Sequence, residues 1–206
     1  MPLIVVLGYL IGSIPFALVL ARRRGLDLRK VGSGNLGAAN VFRASGATAG
    51  VLVAVLDIGK GAVSVLVAEQ LSDGPAWPAV AGLAAIVGHV YPLWLRFRGG
   101  KGVATACGVF AVLTPLAAAL ALAAFLATVW TTRYVSLGSV IASVVLPPLA
   151  YVAGSSAPVV AAGVAASILI VFRHRSNLAR VGSGTERRIG ARVAAAIGPE
   201  LEGPEA

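Results

Sequence analysis

Of the 206 residues 58% are hydrophobic and 12% charged, with a mean hydropathy of +0.89, whereas soluble domains carry roughly one-quarter charged residues. Such a chain belongs in a bilayer. One cysteine, Cys107, excludes an intramolecular disulfide, and two histidines, His89 and His174, leave no basis for a protein-built metal cage, so neither a metal nor another cofactor is expected. The formal charge of +9 reads as membrane topology and contact with anionic headgroups, and no nucleic-acid partner is expected because the loops hold no recognised reading module.

In chain order, the first apolar run, Leu3 to Ala21, has no basic residue before it, and Arg22, Arg23 and Arg24 follow it. A secretory signal carries its charge at the other end. The arginines therefore read as an anchor that puts the N-terminus outside and the first loop in the cytoplasm. Further runs long enough to cross, or nearly cross, about 30 Å of hydrocarbon are Ala47 to Ala68, Ala76 to Leu95, Tyr134 to Val152 and Ala157 to Phe172. Val103 to Trp130 is ambiguous, since as one helix it would measure about 42 Å. Thr114-Pro115 near its middle predicts a break.

Charge placement supports that break. With two short helices, about 103–113 and 116–130, sixteen of the seventeen basic residues fall in cytoplasmic loops, and the outer loops hold none. With one long helix Arg133 and the C-terminal arginines would lie outside, against the positive-inside bias. The expected fold is an all-α integral membrane protein of seven transmembrane helices, N-terminus outside and C-terminus cytoplasmic. Residues 1–192 form one membrane-embedded domain, and 193–206 a tail expected to be poorly ordered. The remaining basic residue, Lys60, lies three positions after Asp57 and so on the same helix face. Buried in the membrane, the two are expected to pair, either to fix helix packing or to serve beneath a site.

This topology gathers three segments on the cytoplasmic face: GSGNLGAANVFR at 32–43, GHVYPLWLRFRGGKGVAT at 88–105 and RHRSNLARVGSGTE at 173–186. Glycines allow positive φ and close backbone approach, and successive free N–H groups make a concavity that suits an anion. Gly99-Gly100-Lys101-Gly102 adds an ammonium and leads into a helix N-terminus, a combination that suits phosphate. Arg43, Arg173 and Arg180 can donate to phosphate oxygens, while Ser33, Asn35, Asn40 and Asn177 can bond hydroxyls or remaining oxygens. The nucleotide-binding phosphate loop is not matched, so ATP is not implied.

These segments resemble the bacterial acyl-phosphate:glycerol-3-phosphate acyltransferase family, small membrane enzymes of phospholipid synthesis. The likeness covers nearly the whole chain. It runs from GSIPFA at 12–17 through the segment ending at Arg43, Asp57-Ile58-Gly59-Lys60-Gly61, GH-x-x-P and F-x-GGKGVAT to RH-x-x-N-x-x-R with Gly184 and Glu186. Val181 stands where leucine is usual. The resemblance implies transfer of a fatty acyl group from acyl phosphate to the 1-hydroxyl of glycerol 3-phosphate, giving lysophosphatidic acid and phosphate. Its partners would be those two substrates and membrane lipids, at the cytoplasmic side of the inner membrane.

An acyl phosphate is already activated, so positioning and charge stabilisation are the protein's main tasks. Lys101 with the Gly99, Gly100 and Gly102 backbone is assigned to the acyl phosphate and the developing oxyanion. Arg43, Ser33 and Asn35 are assigned to phosphate binding, Gly34 and Asn40 to the substrate-binding surface, and Asn177, Arg180 and Glu186 to the glycerol phosphate side. Three acceptors are open for the hydroxyl proton: His174, a substrate phosphate and Glu186. A His followed five residues later by Asp, as in soluble-type acyltransferases, is lacking, since Trp94 follows His89 and Ala179 follows His174. A transporter for a phosphate-bearing anion would need polar residues at both faces, and a passive scaffold would leave the three segments without a purpose.

Overall fold

The structure, a computed structural model, describes residues 2–23 and 25–189, and all regular structure among them is helical. Arg24, Arg192 and the expected tail 193–206 lie outside the described residues. In order the helices are α1 (Pro2–Gly12), α2 (Phe16–Arg22), α3 (Ala38–Ser45), α4 (Ala47–Leu71), α5 (Ala76–Val90), α6 (Val103–Leu113), α7 (Pro115–Thr132), α8 (Val135–Val152) and α9 (Ala157–Gly182), with a 3-10 turn at Leu93–Leu95. Among the described residues six segments are long and apolar enough to cross a membrane, α1 and α2 counting together as one, and α6 is a shorter apolar helix. Seven membrane segments result, as the sequence predicts. Thr114-Pro115 does divide the long run, because Pro115 takes the first position of α7, where its missing N–H leaves no bond unmade.

Besides the short helix α3, which forms between the first two spans, two elements differ from expectation. The first apolar run is broken at Ser13-Ile14-Pro15 rather than continuous, since Pro15 offers no N–H and constrains the residue before it. Carbonyls freed at the break are capped from α4 and from the 3-10 turn: Lys60 Nζ donates to Ile14 O at 3.0 Å and Trp94 Nε1 to Ser13 O at 2.9 Å. The last helix does not stop at Phe172 but runs to Gly182. Arg173, His174, Asn177 and Arg180 therefore project from a rigid helix, not from a loop.

In lipid no hydrophobic force separates helix from tail, so packing relies on close van der Waals contact and small residues. α4 and α6 meet where a Cβ on Gly61 would strike the Thr105 carbonyl and one on Gly108 the Ile58 carbonyl. The central core joins Ile86 of α5, Val109 and Phe110 of α6, Ala117 and Ala121 of α7, Leu146 of α8 and Ala166 and Ile170 of α9. Leu116, Leu126, Val144 and Ile168 face outward, as lipid-facing positions should.

The helix ends sort into two levels. Thr114 Oγ1 accepts from Ser155 Oγ at 2.9 Å at one end of the bundle. At the other, Ile189 N donates to Arg133 O at 2.8 Å and Arg173 Nη2 to Gly100 O at 3.3 Å. This second end also carries residues 25–37, with Gly32 beside Arg187.

Because α4 and α6 touch backbone to backbone, Gly108→Leu is expected to destabilise the folded protein by about 3 kcal/mol or more. Gly59→Leu, at a glycine with no atom within 4 Å of an added Cβ, serves as the control. Thermal unfolding of both variants in detergent checks this, and equal melting of the two would remove the close crossing as a packing determinant.

Candidate active site

A cavity of about 320 Å³ opens at the end of the bundle where the three glycine-rich segments meet. Its polar rim holds Ser33, Asn35, Arg43, Lys101, His174, Asn177 and Glu186, and its deeper wall Phe110, Ala118, Ala121, Leu122, Phe125 and Leu146. Lys101 and Asn177, far apart in sequence, are in direct contact, the Nζ donating to the Asn177 Oδ1. Asn177 Nδ2 in turn donates to Glu186 Oε1 at 2.6 Å, and Ser136 Oγ to the same oxygen at 2.8 Å. Arg180 Nε bonds Glu186 Oε2 at 2.7 Å.

Glu186 is thus a buried hub in which both oxygens are engaged. Burial alone would raise its pKa, but the hydrogen bonds from Asn177, Ser136 and Arg180 outweigh it and hold the carboxyl below the usual range. The Lys101 amine is pushed down to about 8, chiefly by burial, with Glu186 opposing and the charges of Arg180, Arg173 and Arg43 adding to the fall. One carboxylate among four cations leaves this end of the cavity positive. His174 is buried and its Nδ1 lies 2.8 Å from Ile170 O. A carbonyl can only accept, so Nδ1 carries a proton and Nε2 is the free ring nitrogen.

Several expected site residues have other work. Asn40 is 1% exposed, its Oδ1 accepting from Ser33 N at 2.9 Å and Oγ at 3.2 Å, its Nδ2 donating to Leu28 O and Val31 O. That uses the amide fully, so Asn40 shapes the loop that presents Ser33. Gly34, at φ 69°, makes the turn beside it, its N–H bonded to Val31 O. The expectation that Gly99 and Gly100 offer N–H groups to an anion needs correction: Gly99 N donates to Val90 O at 3.0 Å and Gly100 N to His89 O at 3.1 Å. The available backbone donors lie later, at the N-terminal turn of α6, which Gly102 opens at φ 88°. Arg173 is occupied by Gly100 O and lies over the Tyr91 ring, 5.5 Å from its centroid. Arg180 reaches the site through Glu186, and neither it nor Gly34, Gly99 or Gly100 lines the cavity.

Sequence reasoning missed the wall supplied by α8. Ser136, Ser139 and Ser143 all line the cavity, and their spacing of three and four residues marks one face of a helix. A polar stripe in an otherwise apolar span was the available signal. Asp57 and His89 also border the cavity.

A family model described as glycerol-3-phosphate acyltransferase matches residues 2–184. The glycerol-3-phosphate acyltransferase of Roseobacter denitrificans is 49% identical over 187 residues, covering 90% of this chain and 92% of that protein. That of Geobacter sulfurreducens is 46% identical over 181 residues, covering 88% and 93%. The crystal structure of PlsY (YgiH), an integral membrane glycerol 3-phosphate acyltransferase, in its glycerol 3-phosphate form is similar with a TM-score of 0.88 at 41% identity, covering 92% of this chain and 95% of that one. Its lysophosphatidic acid form gives 0.86 at 40% identity. With a family model matched over residues 2–184 and relatives nearly half identical over about nine-tenths of the chain, the chain belongs to the glycerol-3-phosphate acyltransferase family as a multi-pass integral membrane member.

Proposed function

We propose that the protein transfers a fatty acyl group from acyl phosphate to the 1-hydroxyl of glycerol 3-phosphate, releasing lysophosphatidic acid and phosphate for phospholipid synthesis. The observation that carries this reading is the cavity's division into a cationic rim and an apolar wall. An acyl phosphate has that same division, while glycerol 3-phosphate matches the rim alone. Positive-inside charge placement supports a cytoplasmic C-terminus and rim, an outside N-terminus and residence in the bacterial inner membrane.

In this reading Lys101 and the N-terminal turn of α6 hold the acyl phosphate and its developing oxyanion. Arg43, Ser33 and Asn35 receive the second phosphate. The glycerol hydroxyl attacks the acyl carbonyl, a C–O bond forms, and the bond to the phosphate oxygen breaks with its electron pair leaving on phosphate. Glu186 is saturated by three donors and orders Asn177 and Arg180. His174 Nε2 accepts a hydrogen bond from the hydroxyl and orients it. The proton itself passes to a phosphate oxygen, since an imidazolium buried on the same wall as the Lys101 ammonium would place a second unpaired cation there.

Purified protein in lipid, given acyl phosphate and glycerol 3-phosphate, should form lysophosphatidic acid, and acyl-CoA should not replace the donor. Lys101→Ala and Arg43→Ala should each remove turnover from protein that remains folded. Near-normal rates in either would show that these charges serve topology only. No product from the folded parent protein would end the donor assignment.

The Lys101 amine is protonated, and able to hold an anion, below about 8. kcat/KM for acyl phosphate should therefore fall with a single-proton slope as pH rises through that value, because kcat/KM reports groups of the free enzyme. Lys101→Arg should flatten this limb, and an unshifted limb would detach it from Lys101.

His174→Asn should lower kcat by about 10- to 100-fold, the range of an orienting contact and below the roughly 10⁴-fold that a lost general base can reach. A loss near 10⁴-fold would make His174 the proton acceptor.

A further inference from the structure

Three sequence motifs have no part in the chemistry above: GSIPFA at 12–17, DIGKG at 57–61 and the GH pair at 88–89. They meet in space. A small cavity of about 10 Å³ is bordered by Gly12, Ser13, Asp57, Lys60, His89 and Gly100. Lys60 Nζ lies 2.8 Å from Asp57 Oδ1, with both side chains 3% exposed, and also donates to Ile14 O at the break between α1 and α2. Asp57 Oδ1 is 3.6 Å from His89 Nδ1. On its other side the His89 ring lies directly under Gly100, where an added Cβ would strike Nε2. The His89 carbonyl accepts from Gly100 N, and Val90 O from Gly99 N.

Taking Lys101 as the residue that grips the donor phosphate, we propose that Asp57, Lys60 and His89 form a positioning network that holds the Gly99-Gly100-Lys101 loop, and with it the Lys101 amine, in its working place. Lys60 ties Asp57 to the broken first span, Asp57 fixes the face that His89 turns, and the imidazole edge supports the loop backbone from beneath. Gly100 has no side chain because the ring fills that space. The network spans α4, α5 and the break between α1 and α2, so the loop is seated against three elements rather than one.

A plain ion pair would predict something different. Removing one buried partner leaves an unpaired charge and unfolds many proteins, whereas replacing both with apolar side chains of similar volume is often tolerated. The double variant Asp57→Leu with Lys60→Met therefore separates the two roles. Hydrogen exchange at Gly99 and Gly100 and steady-state kinetics are measured on the lipid-reconstituted protein. The network predicts a folded double variant whose Gly99 and Gly100 amides exchange about tenfold or more faster. It further predicts a kcat lower by about tenfold or more and a raised KM for acyl phosphate, with KM for glycerol 3-phosphate within about twofold of the parent.

His89→Asn leaves the Asp57–Lys60 pair whole while removing the ring edge under Gly100, and gives the same readings even if the double variant does not fold. Parental exchange and kcat in His89→Asn, or in a folded double variant, would overturn the proposal. Exchange is read without substrate. Failure of the parent protein to use acyl phosphate would therefore count against the donor assignment alone, and exchange at the two glycines would still decide the network.

Discussion

The carboxylate of Glu186 accepts hydrogen bonds from Ser136 on α8 and from Asn177 and Arg180 on α9, and through Asn177 it sets the position of Lys101. These contacts tie the chain after α9 to the helices that wall the cavity. Two further contacts, Ile189 N to Arg133 O and Arg188 Nε to Tyr134 OH at 3.1 Å, continue the attachment onto the α7–α8 turn. Because a buried carboxylate is costly unless fully bonded, Ser136, Asn177 and Arg180 must be in place together. The polar geometry of the cavity and the closure of the bundle end thus rest on the same few bonds.

The second constraint is charge. Around Glu186 stand Arg43, Lys101, Arg173 and Arg180, more cations than one carboxylate can neutralise. Two of them are quieted locally, Arg173 by the Gly100 carbonyl and the Tyr91 ring and Arg180 by Glu186 itself. Arg43 and Lys101 remain directed at the cavity. That remainder is the electrostatic basis for placing anions there, while burial, more than the neighbouring charges, depresses the Lys101 amine.

Much of the fold was legible because hydropathy and charge act on whole segments. The split at Thr114-Pro115 followed from a proline and from Arg133 needing the same side as Arg96, Arg98 and Lys101. The break at Pro15 was overlooked although it rests on the same proline chemistry, because no charge depended on it. Ending the last helix at Phe172 followed hydropathy, which reports where lipid ends and not where backbone hydrogen bonding ends. In the site, Lys101 and Asn177 could be named from their motifs. Ser136 could not, since its partner Glu186 lies 50 positions away and only folding pairs them. The roles of Gly99, Gly100 and Asn40 changed because free donors in a sequence can be spoken for in a fold, here by His89 O, Val90 O and the loop around Ser33.

The brevity of α6 has a geometric result. Its eleven residues measure about 16 Å, roughly half the thickness of the hydrocarbon layer. Its opening residue, Gly102, lies beside Ile170, twelve residues before the last residue of α9, or about 18 Å along that axis. The cavity runs along α9 from Asn177 and His174 past Ile170 to Ala166, deeper than the start of α6. Lys101 meets Asn177 at the rim, and the apolar depth beyond it is walled by Phe110, Ala121 and Leu146. In the proposed reaction an acyl chain takes up that apolar depth while its phosphate meets the amine at the rim.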